Sequence, residues 1–153
     1  MDKIDRKILA VLQADASATV AQIAERSGIS STPIWRRIKR MEAEGIIASR
    51  VTLLDPARIG LDLTGYVLIR ISDHNADWLR RFVAALEAIP EIVEAHRMAG
   101  NIDYILKVVA PDIAGYDAIY KRLIASIDMS DVSASFSMEV LKSTTQLPLD
   151  YAD

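Results

Sequence analysis

Four cations crowd into five positions of the chain: Arg36, Arg37, Lys39 and Arg40, with no acidic residue between Ser31 and Arg40. Lysine and arginine donate to phosphate oxygens, and a guanidinium can also give two parallel bonds to the O6 and N7 edge of guanine. The residues around them predict a helix. Ser31 or Thr32 is expected to cap its first turn through a hydroxyl, and Pro33 falls where a missing N–H costs nothing. Ile34, Ile38 and Met41 recur at i, i+4 and i+7, which is one buried stripe, and Gly45 is expected to close the helix. The cations lie off that stripe. Ser31, Thr32, Pro33, Trp35, Arg36, Lys39 and Arg40 are therefore the candidate contacts to double-stranded DNA, read in the major groove. Arg36 and Arg40 suit guanine or phosphate, and Lys39 a phosphate, which positions without specifying. Lys3, Arg6 and Arg50 are candidates for further backbone contacts. The alternative is an ordinary solvated helix face, and for Trp35 it is packing against the body of the domain.

A second constellation is Ala99-Gly100-Asn101 with Asp103 and Tyr104. Backbone N–H groups of a glycine turn can hold a carboxylate, Asp103 can accept from an ammonium, and Tyr104 can bound a pocket. Those are the groups that a free amino acid needs. The same residues also read as a plain hairpin turn, since Gly-Asn between two strands is a common turn signal. His74 lies in a polar loop and is expected to be exposed; His96 lies in a strand and is expected to be partly buried. Neither has metal-ligand spacing to a second His, and the chain has no Cys. With no phosphate-binding glycine loop and no Ser/His/Asp order, the sequence calls for no metal and no cofactor, and it disfavours an enzyme.

The elements that must carry these residues follow from periodicity. Helices are expected from Lys3 to about Asp15 and from Val20 to Arg26, then a turn at Gly28 and the basic helix, which is the helix-turn-helix order. Ile46 to Leu53 reads as a short wing strand. Pro56 and Gly60 punctuate the chain, dividing it into residues 1–50, a linker strand at 51–62 and a second domain at 63–153. The second domain reads as strand 64–71, helix 77–88 with Trp78, Leu79, Phe82, Val83 and Leu86 inward, strands 92–98 and 103–109, helix 112–127 and strand 132–141. That order is the split βαβ, or ferredoxin-like, arrangement, so the fold class is α+β. Its sheet has one face covered by helices and one apolar face that needs a partner, most simply a second copy. Residues 1–50 hold nine Lys or Arg against six Asp or Glu, and the remainder nine against fifteen, in a chain of 153 residues with net charge −3. A basic first third and an acidic rest fit two domains with different tasks. No apolar run approaches the roughly 20 residues of a membrane span, and the N-terminus lacks a signal peptide's apolar segment, which points to the cytoplasm.

Taken together, these segments resemble the Lrp/AsnC, or feast/famine, family of transcription regulators over essentially the whole chain. The opening Met1-Asp2-Lys3-Ile4-Asp5-Arg6-Lys7-Ile8-Leu9, the stretch Ile29 to Ile47, the segment Met98 to Lys107 and the tail Val140 to Leu149 carry the likeness in order. The resemblance implies an N-terminal winged helix-turn-helix, a C-terminal effector-sensing domain, and homodimers that assemble to tetramers or octamers. It implies an amino-acid site between dimers at Met98, Ala99, Gly100, Asn101, Asp103, Tyr104 and Thr144. The strand Ser135 to Glu139 and the tail look closest to the cysteine-responsive subgroup. Ile34 stands where many relatives have Cys, and Asn101 where Asp is usual, which removes a negative charge from the effector loop. A dimer would set two basic helices on a pseudo-palindromic operator. Two alternatives remain on the same sequence. Sirohaem decarboxylases resemble this family and are enzymes, with His96 as the candidate acid or ligand here. A non-specific architectural protein would bind any duplex with a steep salt dependence.

Overall fold

The structure is a computed structural model that describes residues 1–72 and 75–151, so the expectation for His74 lies outside the described residues. The chain divides into two compact units, Met1–Leu53 with Lys142–Asp153, and Leu54–Leu141.

The first unit is three helices, α1 (Lys3–Ala14), α2 (Val20–Ser27) and α3 (Ser31–Ala43). Each begins where the sequence supplies a cap or a turn. Asp2 accepts from the backbone N–H groups of Ile4 and Asp5, and the Asp5 carboxylate answers by accepting from the Asp2 N–H at 3.2 Å, a closed capping box. Thr19 and Gln22 form the same reciprocal box on α2. Gly28 ends α2 at φ +70°, a conformation that only glycine takes without strain, and this turns the chain directly into α3. Ile8, Leu9, Leu12, Ala18, Ile23, Ile34, Ile38 and Met41 form the core, with Ile8, Ile34 and Met41 fully buried. Such side chains contribute about 1.5–3 kcal/mol each over an exposed position.

Two expectations for this unit change. Ser30 is the N-cap of α3, without a side-chain cap bond, and Ser31 and Thr32 are its first helical residues. Pro33 still falls in the first turn. No strand forms between Ile46 and Leu53; Val51 and Leu53 are about two-thirds exposed. A strand needs a partner to satisfy its backbone groups, and among the described residues no strand pairs with that stretch. A third difference concerns the tail, which the sequence assigns to the second domain. From Lys142 it groups with the helices instead: Gln13 donates to the Leu147 carbonyl at 3.1 Å and accepts from its N–H at 2.7 Å, and Leu149 packs on the helical core.

The second unit contains β1 (Leu63–Arg70), α4 (Ala76–Ala88), β2 (Ile92–Arg97), β3 (Tyr104–Ala110), α5 (Ile113–Ser126) and β4 (Asp131–Phe136). The strands form one antiparallel sheet in the order β2-β3-β1-β4, the ferredoxin-like order. Alternation decides the faces. Val67, Ile69, Leu106 and Val108 join Trp78, Phe82, Ala85, Ile119 and Leu123 in the core. Tyr66, Leu68, Ile105 and Lys107 occupy the alternate positions. Leu79 and Val83, expected inward, are 41% and 45% exposed; Trp78, Phe82 and Ala85 at i, i+4 and i+7 already fill the stripe. The last strand stops at Phe136, five residues earlier than periodicity suggests.

Candidate nucleic-acid interface and effector turn

α3 presents one wet face made of the predicted residues. Ser31, Thr32, Trp35, Arg36, Lys39 and Arg40 are exposed and Pro33 is half-buried. Trp35 is 58% exposed, so it is not packed into the domain. Thr32, Pro33, Arg36, Arg37 and Arg40 line one open depression. Helix geometry brings Thr32, Arg36 and Arg40 into line, four residues apart.

The cations of this face are not equally free. Arg37 donates to Asp2 at 2.6 Å and to Asp5 at 2.8 Å, and Arg40 donates to Asp5 at 2.6 Å. Burial pushes the Asp5 carboxyl up, but the bonds from Arg37 and Arg40 outweigh it and hold the group below its ordinary value. The bond from the Asp5 backbone N–H, with that from Arg37, lowers Asp2 to about 2. Lys39 and Arg50 both reach Glu42, at 2.8 and 3.1 Å, and the Lys39 bond holds the Glu42 carboxyl low. Arg36 carries no such ion pair among the described residues. Sequence reading missed the part played by Asp5. Its partners lie 32 and 35 residues away, and the only local sign was an acidic residue at the third position of a capped helix.

The predicted effector residues are not gathered in this way. Met98 is 40% exposed, and Ala99, Gly100 and Asn101 form an exposed turn in which Gly100 takes φ +130°. Asp103 is half-buried: its carboxylate accepts from the Ile71 N–H at 2.9 Å and its own N–H donates to Ile69. That carboxylate therefore ties β3 to the end of β1. Tyr104 does not bound the turn. It is 6% exposed and its ring packs on Phe82 and Trp78, with centroids 4.8 and 5.5 Å away, because its position in β3 points to the helix-covered face. Thr144 belongs to the first unit and accepts from the Gln146 N–H at 3.1 Å. His96, expected partly buried, has its side chain 61% exposed, 3.5 Å from Glu94, on an edge strand.

Two family models match the chain: winged helix-turn-helix DNA-binding over residues 1–48, and the Lrp/AsnC ligand binding domain over residues 64–147. A glutamate uptake regulatory protein of Zymomonas mobilis is 49% identical over 149 residues, covering 97% of this chain and 91% of that protein. A crystal structure of an AsnC family transcriptional regulator from Agrobacterium tumefaciens is 52% identical, with a TM-score of 0.95 over 99% of both chains. A transcriptional regulator from Neisseria meningitidis, solved in complex with L-methionine, is 30% identical, with a TM-score of 0.93 over 98% of this chain and 97% of that one.

Proposed function

The chain belongs to the Lrp/AsnC family of transcriptional regulators, and from that premise we propose that α3 reads a pseudo-palindromic operator and that a small amino acid near the Gly100 turn tunes the binding. The observation that carries the DNA half is the outward face of α3, where Thr32, Arg36 and Arg40 meet in one depression beside Trp35 and Lys39. Arg36 and Arg40 supply base or phosphate contacts, and Lys39 leaves Glu42 for a phosphate when the duplex docks. Two copies of the chain place two such helices on half-sites about 34–36 Å apart, or a multiple of that.

The sheet supports assembly into the dimer. Its outer face carries Tyr66, Leu68 and Ile105 beside the Lys107–Glu94 ion pair, which measures 2.9 Å. Dimers then associate to tetramers or octamers, and the amino acid sits between them. The Gly100 turn contributes backbone N–H groups for its carboxylate. The L-methionine complex of the Neisseria relative supports an amino-acid ligand on this fold. To act as an effector, the ligand must favour one assembly by about 1–3 kcal/mol.

The test has two stages. Thermal unfolding against each of the twenty amino acids identifies the effector, since a ligand at a hundredfold excess over its Kd adds about 2.7 kcal/mol to the folded state. Duplexes enriched by the protein from a randomised pool are then titrated with and without that amino acid. A stabilising amino acid that also shifts duplex affinity is the expected result. Cysteine would support the subgroup likeness, and a different amino acid would overturn it. Asn101→Asp is the variant of choice at the turn. Asp103→Ala also removes the acceptor for the Ile71 N–H, which confounds binding with folding. If no duplex is enriched, or no amino acid changes the affinity, the corresponding half of the proposal fails.

A further inference from the structure

The outward face of α3 leaves one group of the first unit without a role in DNA reading: the Asp5 carboxylate, only 1% exposed although it stands in the first turn of α1. A carboxylate removed from water must be surrounded by donors or take up a proton. Here the donors come from the recognition helix. Arg37 reaches one oxygen at 2.8 Å, and Arg40 reaches the other at 2.6 Å.

The two arginines differ in what they leave over. Arg37 also donates to Asp2 at 2.6 Å, and its side chain is 24% exposed, so it is committed to the body of the unit. Arg40 has a second acidic neighbour too, Glu44, but that one is half exposed and lies 3.8 Å from Nε; the Arg40 side chain stays 47% exposed and opens onto the depression shared with Thr32, Pro33 and Arg36. A guanidinium is planar, with five N–H donors in a fixed fork. Anchoring one nitrogen to a buried acceptor fixes the plane of the rest, so less freedom is lost when the fork meets its target. The same buried negative charge also offsets part of Arg40's attraction to phosphate, which does not depend on sequence.

Resting on the reading of α3 as the DNA helix, we propose that Asp5 is a positioning residue for sequence discrimination: it orients Arg40 toward a base edge and damps its indiscriminate pull on the backbone, while Arg37 braces Asp5. A residue that mattered for folding alone would change binding to all duplexes alike. Loss of a positioning residue instead weakens binding to the recognised sequence without weakening the sequence-independent binding.

The experiment uses the full chain and two probes, a duplex enriched from a randomised pool by the wild-type protein and a shuffled duplex of the same composition. Asp5→Asn is expected to weaken binding to the enriched duplex by about tenfold, the share of one good bidentate base contact. Binding to the shuffled duplex stays level or tightens. Equal loss on both probes, or no change on either, overturns the proposal. Because the amide sits in a buried site and can unfold the unit, Arg40→Lys is measured beside it with Asp5 intact. It keeps the charge and loses the fork, so the same fall in the ratio of affinities is expected, and an unchanged ratio overturns the proposal. In the double variant the ratio falls no further than in Arg40→Lys alone; additive losses would show that Asp5 does not act through Arg40. A wild-type protein that enriches no duplex defeats the DNA reading itself and this inference with it, an outcome distinct from a wild-type ratio that Asp5→Asn leaves intact.

Discussion

The face of α3 and the Gly100 turn are built in opposite ways. On α3, Thr32, Arg36 and Arg40 are spread along the sequence, yet helix geometry lines them up and the buried Asp5 orders the cations behind them. Around Gly100 the candidate residues are nearly consecutive, yet they diverge. Tyr104 enters the core and Asp103 secures Ile71, while Met98 to Asn101 stay exposed. A helix face can be a complete reading surface within one chain. An exposed turn offers backbone donors but few walls, and the proposed site between dimers would take the remaining walls from other copies.

The largest expected effects separate the two regions through their cores. Phe82→Ala, in the sheet unit, is expected to lower stability by about 3–5 kcal/mol, and Ile34→Ala, under α3, by about 2–5 kcal/mol, read by chemical denaturation. Both side chains are essentially inaccessible, at 2% and 0%. Ile34→Ala should impair duplex binding first and Phe82→Ala amino-acid binding first. If either truncation removed both activities equally, the contrast between the units would break.

Gly100→Ala comes next. Beyond Gly100 and its two chain neighbours, no heavy atom of the described residues lies within 4 Å of the added Cβ, so the expected loss of about 1–3 kcal/mol is conformational, from forcing an L residue to φ +130°. Thermal unfolding reads it, and a variant as stable as wild type would show that the turn relaxes freely. Gln13→Ala removes both hydrogen bonds to Leu147, with an expected effect of about 1 kcal/mol. Limited proteolysis should then cut the chain faster beyond Lys142; an unchanged rate would mean that Leu149 alone holds the tail.

The smallest effect is acid sensitivity. Asp2 is lowered from 3.8 to about 2, and Asp5 is lowered as well. A depressed folded value gives stability that is present above the unfolded value and is lost as pH falls through the folded one. The helical unit should therefore weaken as pH drops from about 4 toward 2. Asp2→Asn should flatten that part of the profile, and an equally steep decline in the variant would contradict the assignment.

Local rules made much of this legible. The stripe Ile34, Ile38 and Met41, the Gly28 turn and the βαββαβ order follow from spacing alone, and the structure keeps them. What escaped depends on distant partners. The sequence shows Asp5 as one more surface acid, because nothing local reveals that Arg37 and Arg40 will close over it. The wing stretch has strand-forming residues but no partner strand among the described residues. The side to which Tyr104 points is set by the register of β3, and a shift of one residue would have placed it on the opposite face. The position of the tail depends on Gln13, more than a hundred residues earlier, which periodicity cannot register.

The salt dependence of duplex binding, compared between wild type and Arg36→Ala with Lys39→Ala, tests the central claim most directly. Each lost phosphate contact lowers the slope of log affinity against log salt by about one. If α3 is the helix laid in the major groove, the double variant should bind all sequences more weakly, with a slope shallower by about one to two. A double variant with wild-type affinity and wild-type slope would contradict the assignment of α3 as the DNA-reading helix.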